Sequence, residues 1–195
     1  GSCTSARSFT AAGVYTVKVT LTDDDTGTAT PVAEVMVVVY DPQGGFVTGG
    51  GWIISPPGAY TPTPTLTGKA NFGFVSKYQK GANLPTGETE FQFKAGNMNF
   101  HSSFYDWLVV AGARAQYKGV GQINSAGNFG FLLTGLDGQS NGGGGVDGFR
   151  IKIWDKNNGD VIVYDSAVIG SNDIDASPMI LLNGVTGNGS IVIHK

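Results

Sequence analysis

His101-Ser102-Ser103, followed by Asp106, brings the residue types of a nucleophilic triad close together in the chain. A triad needs three side chains converging from separate elements, and immediate neighbours read instead as a polar turn between two strands. The other histidine, His194, stands next to the last residue and reads as exposed, and Cys3 has no partner base. No HExxH, GxSxG or phosphate-loop motif occurs. Gly142-Gly143-Gly144-Gly145 lacks the Lys-Ser/Thr that would make it a phosphate cradle and reads as a flexible connection. A glycosidase-type carboxylate pair would have to draw on Glu34, Glu88, Glu90 or on aspartates, most of which sit where turns want them. No catalytic residue is assigned.

Oxygen ligands come next. Asp155-Lys156-Asn157-Asn158-Gly159-Asp160 offers Asp155, Asn157 and Asp160 at the spacing that opens a calcium loop, but no bidentate glutamate follows. The same residues suit an Asn-Gly hairpin turn. Asp23-Asp24-Asp25 is a second candidate, with Asp23 and Asp25 as ligands, because adjacent acids repel and a cation relieves them. Asn172-Asp173-Ile174-Asp175 is a third. The hairpin reading is preferred and no cofactor is expected, calcium being the one ion these residues could hold; two histidines and one distant cysteine do not make a zinc site.

Sugar-binding proteins stack exposed aromatics on pyranose faces and bond hydroxyls with polar side chains. Trp52, Tyr60, Tyr78, Tyr105, Trp107 and Trp154 are the aromatics to weigh. Trp154 leads. On its strand it shares a face with Arg150 and Lys152, opposite Phe149, Ile151 and Ile153, so it should point away from the core. Trp154, Arg150, Lys152, Trp52 and Tyr105 form the candidate ligand-binding set, against the plainer reading that Trp154 covers a hairpin end.

These side chains need elements to hold them, and the pattern throughout is period two. Val14 to Leu21 alternates, a polar turn follows at Asp23 to Gly27, and a second strand runs over 28–40, which makes a hairpin. Asp41-Pro42-Gln43-Gly44-Gly45 reads as a linker. Further strands are expected at 46–54, 67–78, 88–94, 97–101, 107–117, 119–124, 128–136, 149–155, 160–164, 179–182 and 190–194. Turns are expected at Ser125-Ala126-Gly127 and Asn157-Asn158-Gly159. The i, i+2 pairs Phe72 and Phe74, Phe91 and Phe93, and Phe129 and Phe131 should face a core. Sequential short strands imply an antiparallel meander, and closing it as a sandwich or barrel removes exposed edges. The fold class is all-β: a hairpin segment over 1–42 and an antiparallel module over 43–195.

Two family resemblances sit on these elements. Gly13-Val14-Tyr15-Thr16-Val17 and Leu21-Thr22-Asp23-Asp24-Asp25-Thr26-Gly27 resemble the last two strands of a PKD (polycystic-kidney-disease) domain, over about residues 9–41. PKD domains are immunoglobulin-like spacers in secreted bacterial proteins, and their earlier strands are not represented here. Gly49-Gly50-Gly51-Trp52-Ile53, Glu90-Phe91-Gln92-Phe93, Asp106-Trp107-Leu108-Val109-Val110 and Phe149-Arg150-Ile151-Lys152-Ile153-Trp154-Asp155 resemble a C-terminal module of bacterial surface proteins that follows PKD repeats or choice-of-anchor regions. That resemblance implies an extracellular or cell-surface setting and no enzymatic role.

Composition agrees with such a setting. Hydrophobic residues make up 41% of the 195, enough for a core, while charged residues are only 14%. The net charge of -3 shows no basic excess, which disfavours nucleic acid. No apolar run is long enough to span a bilayer as a helix. Gly1-Ser2 reads as a cloning scar, so the natural start is expected upstream. The reading is a non-catalytic structural or interaction module of a secreted or surface protein, with adhesion to protein or polysaccharide as its work. A carbohydrate-binding module accessory to an upstream secreted enzyme is the alternative, and a hydrolase comes third. The orphaned hairpin over 14–40 leaves apolar surface and strand edges open, so a second copy pairing through it is a further expectation.

Overall fold

The alternation of Phe149, Ile151 and Ile153 with Arg150, Lys152 and Trp154 becomes a strand, Gly148–Asp155, whose three apolar side chains are fully buried. The same logic builds nearly the whole chain in the computed structural model, which describes residue 4 and residues 6–20, 25, 27, 33–167, 174–182 and 184–195. Twelve strands form among them: β1 Gly13–Val19, β2 Ala33–Val39, β3 Phe46–Ser55, β4 Gly68–Tyr78, β5 Pro85–Phe93, β6 Met98–Ala111, β7 Arg114–Ile123, β8 Ala126–Leu136, β9 Gly148–Asp155, β10 Val161–Asp165, β11 Met179–Ile180 and β12 Gly187–His194. Among the described residues there is no α-helix, only a 3-10 turn at Lys94–Gly96, and no helix able to cross a membrane.

β1 and β2 pair antiparallel as a small sheet of their own. The rest form one antiparallel sheet in the order β10-β9-β8-β7-β6-β5-β4-β3-β12, with β11 added beside β9. That sheet curls strongly. Phe72 on β4 stacks on Phe149 of β9 with ring centres 3.8 Å apart, although four strands lie between them in the order. Phe91 on β5 meets Tyr164 on β10 at 4.7 Å in the same way. The rolled interior is filled by aromatic rings, whose large apolar area carries most of the burial energy. Phe72, Phe74, Phe91, Phe93 and Phe131 are buried, and Phe129 packs against the cluster.

A curled sheet still has two edges, and side chains and a loop cover both. At the β10 edge the segment after β3 lies alongside: Asp165 N–H bonds Ala59 O at 2.9 Å and Thr61 N–H bonds Val163 O at 3.1 Å. At the β12 edge two buried carboxylates take the place of a strand. Asp147 Oδ2 accepts from Ile191 N–H at 2.8 Å and Asp137 Oδ2 from Ile193 N–H at 2.9 Å. These acids bracket the glycine-rich loop, which is tied rather than loose: Gly138 N–H donates to Asp147 Oδ1 at 2.8 Å and Gly145 N–H to Gly138 O at 2.8 Å.

Several boundaries differ from those expected. The strand expected over 107–117 is broken by a tight turn at Gly112-Ala113, where Gly112 takes φ +63. The polar turn expected at His101 to Asp106 is instead the middle of β6, whose pairing with β7 steps past Ser103 and Asp106 at two bulges. A bulge lets a strand absorb an extra residue without ending. The β7–β8 turn falls on Asn124-Ser125, earlier than expected. Both take positive φ, 53 and 62, the geometry a two-residue hairpin loop needs. Asn124 earns the position by donating from Nδ2 to Asn97 O at 2.8 Å. The β9–β10 turn holds Asn157, Asn158 and Gly159 as expected. The hairpin turn at Asp23-Asp24 lies outside the described residues, as do Cys3, Asn172 and Asp173. His194 is half-buried, stacked on Phe46 at 4.1 Å.

The β1–β2 pair lies beside β6 of its own chain: Tyr40, just after β2, stacks on Tyr78 at 5.4 Å, and Met36 reaches the outer face described next.

Candidate functional site

Residues pointing out of β6 to β10 share one surface because these strands are neighbours in the sheet. Register aligns them in rows. Trp107, Lys118, Leu132 and Lys152 stand opposite one another on β6, β7, β8 and β9. One step along, Val120, Gly130, Trp154 and Ile162 do the same on β7 to β10. Gly130 explains how Trp154 sits. A Cβ there would come within 2.2 Å of the Trp154 ring, so the indole lies over bare backbone. The Lys118 ammonium stands 5.9 Å from the centre of the same ring, within reach of a cation–π attraction.

Together these side chains line a groove of about 590 Å³. Trp107, Lys118, Lys152, Trp154, Lys156 and Asp160 give it its polar and aromatic walls; Met36, Leu132, Ile162 and Ile174 give apolar ones. One end is closed by a buried ion pair. Arg150 Nε meets Asp165 Oδ1 at 3.0 Å and its terminal nitrogen meets Oδ2 at 2.9 Å, a bidentate fork. Gln116 Nε2 donates to Thr134 Oγ1 at 3.2 Å and to Ile174 O at 2.8 Å, which anchors the Ile174 segment over that end. Burial holds the Lys152 ammonium below the ordinary lysine range; the Asp165 carboxylate opposes that shift and the Arg150 cation adds to it.

Of the five expected ligand residues, three line this groove: Trp154, Lys152 and Arg150, the last already committed to Asp165. Trp52 and Tyr105 lie elsewhere. Trp52 sits on the outer face of β3 under the Lys69 ammonium, 4.6 Å from its ring centre. It belongs to a polar strip formed with Asn71, Gln92 and Asn99 across β4, β5 and β6. Tyr105 faces inward, 3% exposed, with its hydroxyl 2.7 Å from Thr89 Oγ1. Burial pushes its pKa up, against hydrogen bonds from Ser102, Thr89 and Tyr117. A bulge on β6 re-aims the side chains around it, so strict alternation misplaces it.

No family model, curated protein or solved structure matches this chain.

The remaining candidates are placed as follows. Asp155 Oδ1 accepts from Asn157 N–H at 2.9 Å, an Asx turn, while Asn157 and Asp160 are exposed at the hairpin tip. Asp25 is exposed and Asp23 lies outside the described residues. Among the described residues no group of three His, Cys, Asp or Glu side chains could hold a metal ion. His101 pairs with Glu90 on the surface, whereas Ser102 is buried and accepts from Thr89 N–H, so the two do not converge. Lys118 and Lys156 were not among the expected ligand residues. Only the sheet order, with β8 alone between β7 and β9 and the bare Gly130 at that crossing, brings Lys118 to Trp154.

Proposed function

We propose that the chain is a non-catalytic interaction module of a secreted or cell-surface bacterial protein, and that it holds its ligand in the groove over β6 to β10. The observation that carries this reading is the groove itself: two tryptophans and a set of lysines converge on a concave surface of ligand size. The resemblance of residues 9–41 to a PKD spacer and of the following module to bacterial surface proteins supports the setting. The contact of His101 with Glu90 at the triad-type residues is solvent-exposed, and the neighbouring Ser102 is buried and bonded to Thr89 N–H instead.

The test is retention of the purified chain on isolated bacterial envelope polysaccharide and on envelope protein, beside a Trp154→Ala variant of matched thermal stability. Retention by the intact chain, with a drop of at least about tenfold for the variant, is expected. Equal retention of both would remove the groove from the reading, and release of soluble fragments from either material would make the chain an enzyme.

A further inference from the structure

Trp52 and the polar strip beside it lie outside the groove. Pairing sets Asn188, Trp52, Asn71, Gln92 and Asn99 opposite one another on β12, β3, β4, β5 and β6. They point outward, because their strand neighbours Ile53, Ala70, Phe91, Phe93 and Met98 are buried. Neighbouring strands lie about 4.8 Å apart, so the row crosses about 19 Å of sheet in even steps. Among the described residues the Asn71, Gln92, Asn99 and Asn188 side chains make no hydrogen bond within the protein. Each leaves its amide donors and its carbonyl acceptor to whatever lies above.

At Asn71, Gln92 and Asn99 the strip sinks into a hollow of about 300 Å³, which Phe72 and Glu90 also line. The floor beside it is bare. Gly50 of β3 and Gly73 of β4 pair directly, one step along from Trp52 and Asn71. A Cβ at Gly73 would meet nothing within 4 Å, and one at Gly50 only Phe72 O at 3.8 Å. Every other strand glycine among the described residues has a left-handed φ or a group within 3.2 Å of such a Cβ. Glycine in a strand interior costs stability, and it often marks the place where a ligand comes close to the backbone. Nothing of the chain itself approaches these two, so the room is left for something outside it.

The row carries no run of charge of one sign. Glu90, opposite Gly73, is bound to His101 on β6. Lys69, on the side of the row away from the glycines, stands over the Trp52 ring. Amides donate and accept at once, as sugar hydroxyls do. An extended glycan offers such hydroxyls ring by ring, at a repeat close to the spacing between strands. A peptide strand would need an open edge to add to, and β3, β4, β5 and β6 are each paired on both sides.

We infer a second binding site, separate from the groove, that takes an uncharged polysaccharide. The polymer crosses the strands from β12 to β6 along the row. Its sugar rings lie over the bare Gly50 and Gly73 backbone where β3 and β4 pass beneath, and Asn71, Gln92 and Asn99 bond its hydroxyls. The site does not depend on what the groove binds.

Cellohexaose and mannohexaose are the probes, titrated by calorimetry beside polygalacturonate and polyglutamate. Binding of a neutral hexasaccharide is expected, unchanged by added salt because no charge is screened. Asn71→Ala combined with Gln92→Ala should weaken it at least about tenfold. Gly73→Val separates fold from site. The space is open and valine suits a strand, so its melting temperature should equal or exceed that of the wild type, while binding falls at least about tenfold. Trp154→Ala should bind as the wild type does. Silence with both hexasaccharides overturns the inference, as does undiminished binding by Gly73→Val or by the amide variant. A lower melting temperature for Gly73→Val removes the open floor and overturns it too. Tighter binding of either charged polymer overturns the ligand class, and loss of binding in Trp154→Ala moves the sugar to the groove and overturns the second site.

Discussion

Asp137 shows how much one side chain settles in this fold. Its carboxylate is buried, which by itself raises a carboxyl pKa. The N–H of Ile193, the hydroxyl and N–H of Ser140 and the N–H of Gln139 outweigh that and bring it below the ordinary value. A depressed folded-state pKa gives stability that is complete above the unfolded value and lost as pH falls through the folded one. Thermal melts should therefore show the wild type losing stability below about pH 4. An Asp137→Asn variant should be less stable at neutral pH, with a flatter acid limb; parallel curves would show that the carboxylate's charge does not hold the edge. Nothing local announced this role. Asp137 looked like any aspartate before a glycine loop, and its partner Ile193 is 56 residues away in sequence.

Among the elements, β9 was the most legible. Its alternation gave both the buried face of Phe149, Ile151 and Ile153 and the outward face of Lys152 and Trp154, since two-residue periodicity is a local property. β6 was the least legible. Leu108-Val109-Val110-Ala111 runs into Ala113 with only Gly112 to mark the turn, and the bulges at Ser103 and Asp106 look like a loop in sequence. The groove needs both strands in register with β7 and β8, a long-range outcome that composition does not encode, so Trp154 was found and Lys118 was not. Gly130 on β8 gives the element-scale test. In Gly130→Ala the new methyl occupies the bed of the indole, and overpacking of this kind costs about 1–3 kcal/mol. The variant should keep its far-ultraviolet spectrum, show altered tryptophan emission and bind the groove ligand more weakly. Unchanged emission and binding would mean that Trp154 does not need the Gly130 bed.

At the scale of the molecule, the hairpin and the rolled sheet meet but do not merge. Among the described residues β1 and β2 pair only with each other, and Val19 and Val35 are 46% and 55% exposed. Two-stranded sheets are marginal alone, and exposed apolar strands with open edges invite pairing with a like segment. Light scattering should find the whole chain associating and a version starting at Gln43 monomeric. If both are monomers, the contact with β6, through Tyr40 on Tyr78, is all the hairpin needs. The rolled sheet itself begins and ends in one place, with Phe46 of β3 directly opposite His194 of β12. A pull applied between the upstream chain and the last residue therefore arrives at a single pair. Because the ladder bonds lie across the strands, such a load meets them one after another, from His194 inward, like a zip. A partner held in the β6 to β10 groove pulls on other strands, and the same tether can then resist in a way that its two ends cannot.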